Sequence, residues 1–220
     1  MKKVFQLLLV IGMLMSCPVV NAQTKALNKA LKKEYKAKKK ELEKGGWEIF
    51  GSSRSLDVTL MNFYQQLNED ENLIVVTGFA DAFSQKSIGH EKAAMDAQTT
   101  YASQASSVIS GRSIQETASI SDDVEAEFKK FNSIFEKAVM KEIKNELTEA
   151  YSVIRQVDKT SSGKPVYEMQ TYYIVDNTAA RQARLRALNS SIGDSEVNSE
   201  VLKKYVEKLE VLIKEDIVVK

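Results

Sequence analysis

The chain is 220 residues long, with 31 Lys and Arg against 30 Asp and Glu and a formal net charge of +1. Its one cysteine and one histidine exclude a disulfide framework, and they leave too few nitrogen and sulfur donors for a zinc site. The charge is balanced overall but unevenly placed. Residues 23–44 hold nine lysines and three glutamates, and taking that +6 and the two lysines before it from the total leaves −7 for residues 45–220.

Residues 1–22, MKKVFQLLLVIGMLMSCPVVNA, open with Lys2 and Lys3, continue as an apolar run from Val4 to Met15, and end at Pro18 and the small Ala22. This order is that of an export signal, and the apolar run is too short to span a bilayer. Cleavage between Ala22 and Gln23 would release a soluble chain into the periplasm. The alternative is Leu14-Met15-Ser16-Cys17 read as a lipobox, in which Cys17 is lipidated and the product is held at the outer membrane. The bulk of Met15 and the apolar Pro18-Val19-Val20 fit a lipoprotein less well than Val20-Asn21-Ala22 fits the soluble cut.

The segment 23–44 contains no Gly or Pro and is predicted as one basic helix stopped by Gly45-Gly46, with Leu27, Leu31, Tyr35 and Leu42 as a thin apolar stripe. Trp47–Phe50 alternates as a short strand. Leu56, Leu60, Phe63, Tyr64 and Leu67 then recur at helical spacing behind Ser53 or Ser55 as a cap. The β-branched run Ile74–Thr77, followed by Phe79, Asp81 and Phe83, predicts a strand over 73–83. A helix over 87–109 should bury Ala93, Ala97, Tyr101, Ala105 and Val108, and residues 111–119 read as a weak strand.

Ser121 is placed to cap a helix with the apolar face Val124, Phe128, Phe131, Phe135, Val139 and Ile143. Tyr151–Val157 and Val166–Val175 make a hairpin across the turn residues of 158–165. Asp176 or Asn177 caps an Ala- and Arg-rich helix, Ile192-Gly193-Asp194 reads as a break, and a last helix from Val197 to about Ile217 carries Leu202, Tyr205, Leu209 and Leu212. This order predicts an α+β fold, an antiparallel sheet of four to five strands with helices packed on one face. The expected organisation is a signal (1–22), a basic arm with its Gly-Gly linker (23–46), an α+β domain (47–192) and a C-terminal helix (193–220).

The run GGWEIFGSSRSLDVTL, the strand VVTGFADAF with its Ala-rich helix, and YEMQTYYIV with the helix after it resemble a family of secreted proteins from Bacteroides-type bacteria. More distantly the chain is similar to the lipoprotein-20-type envelope proteins, and that resemblance implies a dodecin-like α+β sandwich. Neither family implies a catalytic residue.

Little in the sequence speaks for chemistry. His90 would have to draw on Asp81, Glu91 and Asp96 to build a site, yet the first turn of a helix explains it as well. No nucleophile elbow or phosphate-binding glycine loop occurs, and no cofactor or metal is expected. Arg181, Arg184 and Arg186 could clamp a phosphate or carboxylate, but an exposed helix surface accounts for them. The positive argument lies with Lys32, Lys33, Lys36, Lys38, Lys39 and Lys40, which would attract an anionic envelope surface or an acidic protein and let go as salt rises. Export and the single Tyr35 available for stacking argue against nucleic acid. The expectation is a non-catalytic envelope protein that binds another envelope component or assembles as a homo-oligomer. A module binding a small ligand between sheet and helices is the alternative, and an unfamiliar enzyme centred on His90 comes third.

Overall fold

The computed structural model describes residues 17–115, 122–195 and 199–215, so that residues 1–16 of the expected export signal lie outside the described residues. The chain divides into two compact units, one made of residues up to Gly46 with Arg54–Glu71, the other of Trp47–Ser53 with Asn72 onward.

The first unit is a pair of helices. Helix α1 (Cys17–Lys44) ends where Gly46 takes a φ of +69°, a conformation that costs a side-chain-bearing residue energy and a glycine almost none. Helix α2 (Leu56–Glu69) starts at Ser55, whose hydroxyl accepts the Val58 N–H. The two helices meet through an edge-on contact between Tyr35 and Tyr64, with ring centroids 6.3 Å apart. Leu42 of α1 and Leu60 of α2 are fully buried.

The second unit contains a four-stranded antiparallel sheet in the order β1-β3-β4-β2, built from β1 (Glu48–Phe50), β2 (Leu73–Phe83), β3 (Thr148–Lys159) and β4 (Pro165–Asp176). Strands β3 and β4 are the expected hairpin, turned at Gly163 with a φ of +78°. Helices α3 (Lys86–Gln115), α4 (Asp122–Ile143), α5 (Asn177–Asp194) and α6 (Glu200–Lys214) complete the α+β fold.

Close approach of α3 to the sheet depends on small residues. A Cβ on Gly78 would lie 1.8 Å from the Ala93 carbonyl oxygen, and one on Gly89 would enter the Phe83 ring. The main core then joins Val76, Tyr173 and Val175 of the sheet to Tyr101, Ala105, Phe128, Phe131, Phe135 and Val139 of the helices, with Leu202, Tyr205 and Leu209 from α6.

Several elements differ from the sequence reading. Residues 111–115, expected in a weak strand, continue α3, while 116–119 and the expected cap Ser121 lie outside the described residues. Just before this stretch the Ser110 hydroxyl donates to the Ser106 carbonyl one turn back, so its polar group is satisfied inside the helix. No break occurs at Ile192-Gly193-Asp194, because α5 runs through it to a cap at Ser195. A helical glycine costs only about 1 kcal/mol, and the turn is held by Ser191 and Ser195 hydroxyls donating to the Ala187 and Ser191 carbonyls at 2.7 and 2.5 Å.

The expected alternation of Phe79, Asp81 and Phe83 is also broken. Ala80 faces Met169 and Phe83 faces Tyr167, so β2 carries one residue too many there, with Ala82 at a φ of 49°. Phe79, ahead of the bulge, keeps the outward phase of Val75 and Thr77 and is 42% exposed, while the bulge turns Phe83 inward to 4% exposure.

Candidate functional site

An α-helix advances 100° per residue, so residues three, four and seven apart share a face. On α1 that rule sets Lys29, Lys33, Lys36 and Lys40 in one stripe, roughly opposite the face holding Leu31, Tyr35 and Leu42. All four of these lysines are exposed, and among the described residues none has a carboxylate within ion-pair distance. Lys32 is exposed at the border of the two faces.

The remaining two lysines singled out from sequence lie elsewhere. Lys38 pairs with Glu41 at 2.8 Å, and Lys39 reaches Asp57 at 2.5 Å and Glu43 at 3.9 Å. Hydrogen bonds from Lys39 and then from Tyr35 hold the Asp57 carboxyl below its usual range. Asp57 thus ties α1 to α2. Beside this tie an apolar groove of about 320 Å³ is lined by Leu31, Lys32, Tyr35, Met61, Tyr64, Gln65 and Asn68. Ala22 and Gln23 fall within the backbone of α1, and Cys17 is its first residue.

A second polar arrangement lies under the sheet. His90 Nε2 is 2.8 Å from Glu149 Oε2, and Ser152 Oγ is 2.5 Å from Glu149 Oε1 and 2.9 Å from Thr171 Oγ1. A bulge makes this possible. Glu149 faces Tyr173 and Tyr151 faces Tyr172, so the extra residue Ala150 turns Glu149 onto the same side as Ser152. Burial first and the Glu149 charge second push the Tyr173 phenol up to about 12.

As a carboxylate Glu149 only accepts, so His90 and Ser152 both direct a proton toward it. In a Ser–His pair the serine would instead give its proton to the imidazole. Ser152 is moreover 1% exposed. The arrangement joins α3 to β3.

Sequence reasoning missed Glu149 because it named Asp81, Glu91 and Asp96 as the carboxylates near His90. Asp96 instead accepts the Phe79 N–H at 2.8 Å. The three arginines of α5 also separate. Arg186 is exposed and binds Glu142 and Glu146, whereas Arg184, expected on an exposed surface, is buried. Alanines at 180, 183 and 187 around it were a signal that this face of α5 is packed.

Among the described residues no group of three His, Cys, Asp or Glu could hold a metal ion, and no helix is long and apolar enough to cross a membrane. Compared with family models, with curated proteins and with solved structures, the chain has no match.

Proposed function

We propose that this is a non-catalytic exported protein of the cell envelope that binds an anionic component of that envelope through helix α1. The observation that carries the reading is the stripe Lys29, Lys33, Lys36 and Lys40, exposed and without a carboxylate partner among the described residues. The stripe extends over about 16 Å of helix, and each lysine near an anionic surface contributes about 1 kcal/mol within a screening length of about 8–10 Å. Four together give a salt-sensitive attachment with no need of a shaped pocket. The export pattern of residues 1–22 and the resemblance to secreted Bacteroides-type proteins support the same reading.

The test is co-sedimentation of the purified protein with vesicles of phosphatidylcholine alone or mixed with phosphatidylglycerol, at low and high salt. Binding is expected only to the anionic vesicles at low salt. The triple variant Lys33→Glu, Lys36→Glu, Lys40→Glu should bind at least about tenfold more weakly with an unchanged circular dichroism spectrum, given the energy per lysine. Equal binding by the variant would remove α1 from the account. The intact mass of the product from its native host separates the two modes of attachment, since a chain starting at Gln23 is soluble and one starting at an acylated Cys17 is a lipoprotein.

A further inference from the structure

We propose that Arg184 and Tyr101 form an internal binding site for a small carboxylate. The proposal is independent of helix α1 and can fail or hold without it.

Arg184 sits on α5 and is 1% exposed. Its Nη1 donates to the Tyr101 hydroxyl of α3 at 2.5 Å, while its Nε and Nη2 have no hydrogen-bond partner. A guanidinium does not lose its proton in a protein, so it cannot escape burial by becoming neutral. Leaving such a charge buried and unpaired costs several kcal/mol. Tyr101 does not supply the missing negative charge, because burial raises its phenol above the usual 10.0 despite the pull of Arg184 in the other direction. The phenol stays neutral.

The two unpartnered nitrogens have a chemical meaning. Nε and Nη2 form one edge of the guanidinium, with two parallel N–H groups spaced for the oxygens of a carboxylate. The same edge takes carboxylate at two other arginines among the described residues: Arg155 presents Nε and Nη2 to Glu168 at 2.8 and 2.6 Å, and Arg186 presents them to Glu142 and Glu146 at 2.7 and 2.6 Å. At Arg184 the edge is formed and held by Tyr101, and no acidic side chain among the described residues meets it. An anion from outside completes it.

The surroundings define the rest of the ligand. On α5 the neighbours one turn away are Ala180, Ala187 and Leu188, and on α3 Tyr101 lies between Ala97 and Ala105, all fully or almost fully buried. Small apolar walls suit a monocarboxylate with a short aliphatic or aromatic body. A carboxylate on a partner protein could not reach a guanidinium this deeply buried, and a free acid entering as the helices part could.

The test is thermal unfolding of the whole purified protein, dialysed free of carboxylates and titrated with acetate, propionate and benzoate against sodium chloride at equal ionic strength. In the wild type Tm should rise by roughly 3–5 °C for each tenfold increase in the best carboxylate above its dissociation constant. Arg184→Met should unfold at the same or a higher Tm than the ligand-free wild type and show no carboxylate response. Arg184→Lys, which keeps the charge and removes the paired N–H edge, should respond at least about tenfold more weakly. Tyr101→Phe removes only the hydroxyl that holds Arg184, and should also weaken the response; it serves if the Arg184 variants do not fold. A wild-type Tm indifferent to all three acids would overturn the proposal, as would an equal rise with chloride. A carboxylate response that persists in Arg184→Met or is unchanged in Tyr101→Phe would do the same.

Discussion

Helices α1 and α5 both carry basic residues at helical intervals, yet they handle charge in opposite ways. On α1 the lysines of the stripe stand in water, where screening keeps each contribution small and a partner is optional. On α5 Arg184 is enclosed among alanines, where a missing partner is costly. Arg186, two residues on, is exposed and already held by Glu142 and Glu146. The difference between them is burial, and the charge is the same.

That comparison can be broken from the core side first. Phe135 is 1% exposed on α4, and Phe135→Ala should destabilise the protein by about 3–5 kcal/mol in denaturant unfolding. A loss below about 1 kcal/mol would mean that the helices around Arg184 are not packed as described. Gly78→Ala comes next, with an expected loss of about 1–3 kcal/mol, because the new Cβ would be forced against the Ala93 carbonyl. Lys36→Ala, by contrast, should stay within about 0.5 kcal/mol of the wild type.

Alkaline titration sharpens the same contrast without mutation. Tyr173 and Tyr205 are both pushed up to about 12, chiefly by burial, from an ordinary 10.0. A raised folded pKa favours the neutral phenol, so its contribution to stability is complete below pH 10 and is lost as the pH climbs through about 12. Tyrosinate absorbance should therefore show Tyr173 and Tyr205 among the late-titrating phenols, and circular dichroism should be lost as they ionise. At the opposite end Asp57, depressed by Lys39 and Tyr35, supports the α1–α2 pair at neutral pH and ceases to as the pH falls through its lowered value. Because it is exposed, this should be the smallest of the effects, read as a slight acid-side drop in helicity that Asp57→Asn abolishes.

Regular patterns were readable wherever one period ran unbroken. The five deeply buried positions of α4 from Phe128 to Ile143 recur at three- and four-residue spacing, and β2 begins and ends where its β-branched and aromatic run does. Reading failed where one residue changes the phase. The bulges at Ala82 and Ala150 turn Phe83 and Glu149 to faces that strict alternation denies them, and neither has a composition signal. The continuations of α3 through 111–115 and α5 through Gly193 escaped for a related reason. Serine side chains bonding to the carbonyl one turn back leave no mark in the hydrophobic period.

By itself the sequence determined the order of most elements, the α+β class, the two ends of the hairpin and the separation of a lysine-rich helix from an acidic remainder, because each rests on neighbours within a turn or a strand. Which charges are exposed and which are enclosed was decided only in three dimensions. Arg184 and Arg186 share a helix and a side chain, and only the packing of α5 against α4, α6 and the sheet leaves Arg186 in water and Arg184 with an empty hydrogen-bonding edge in the core.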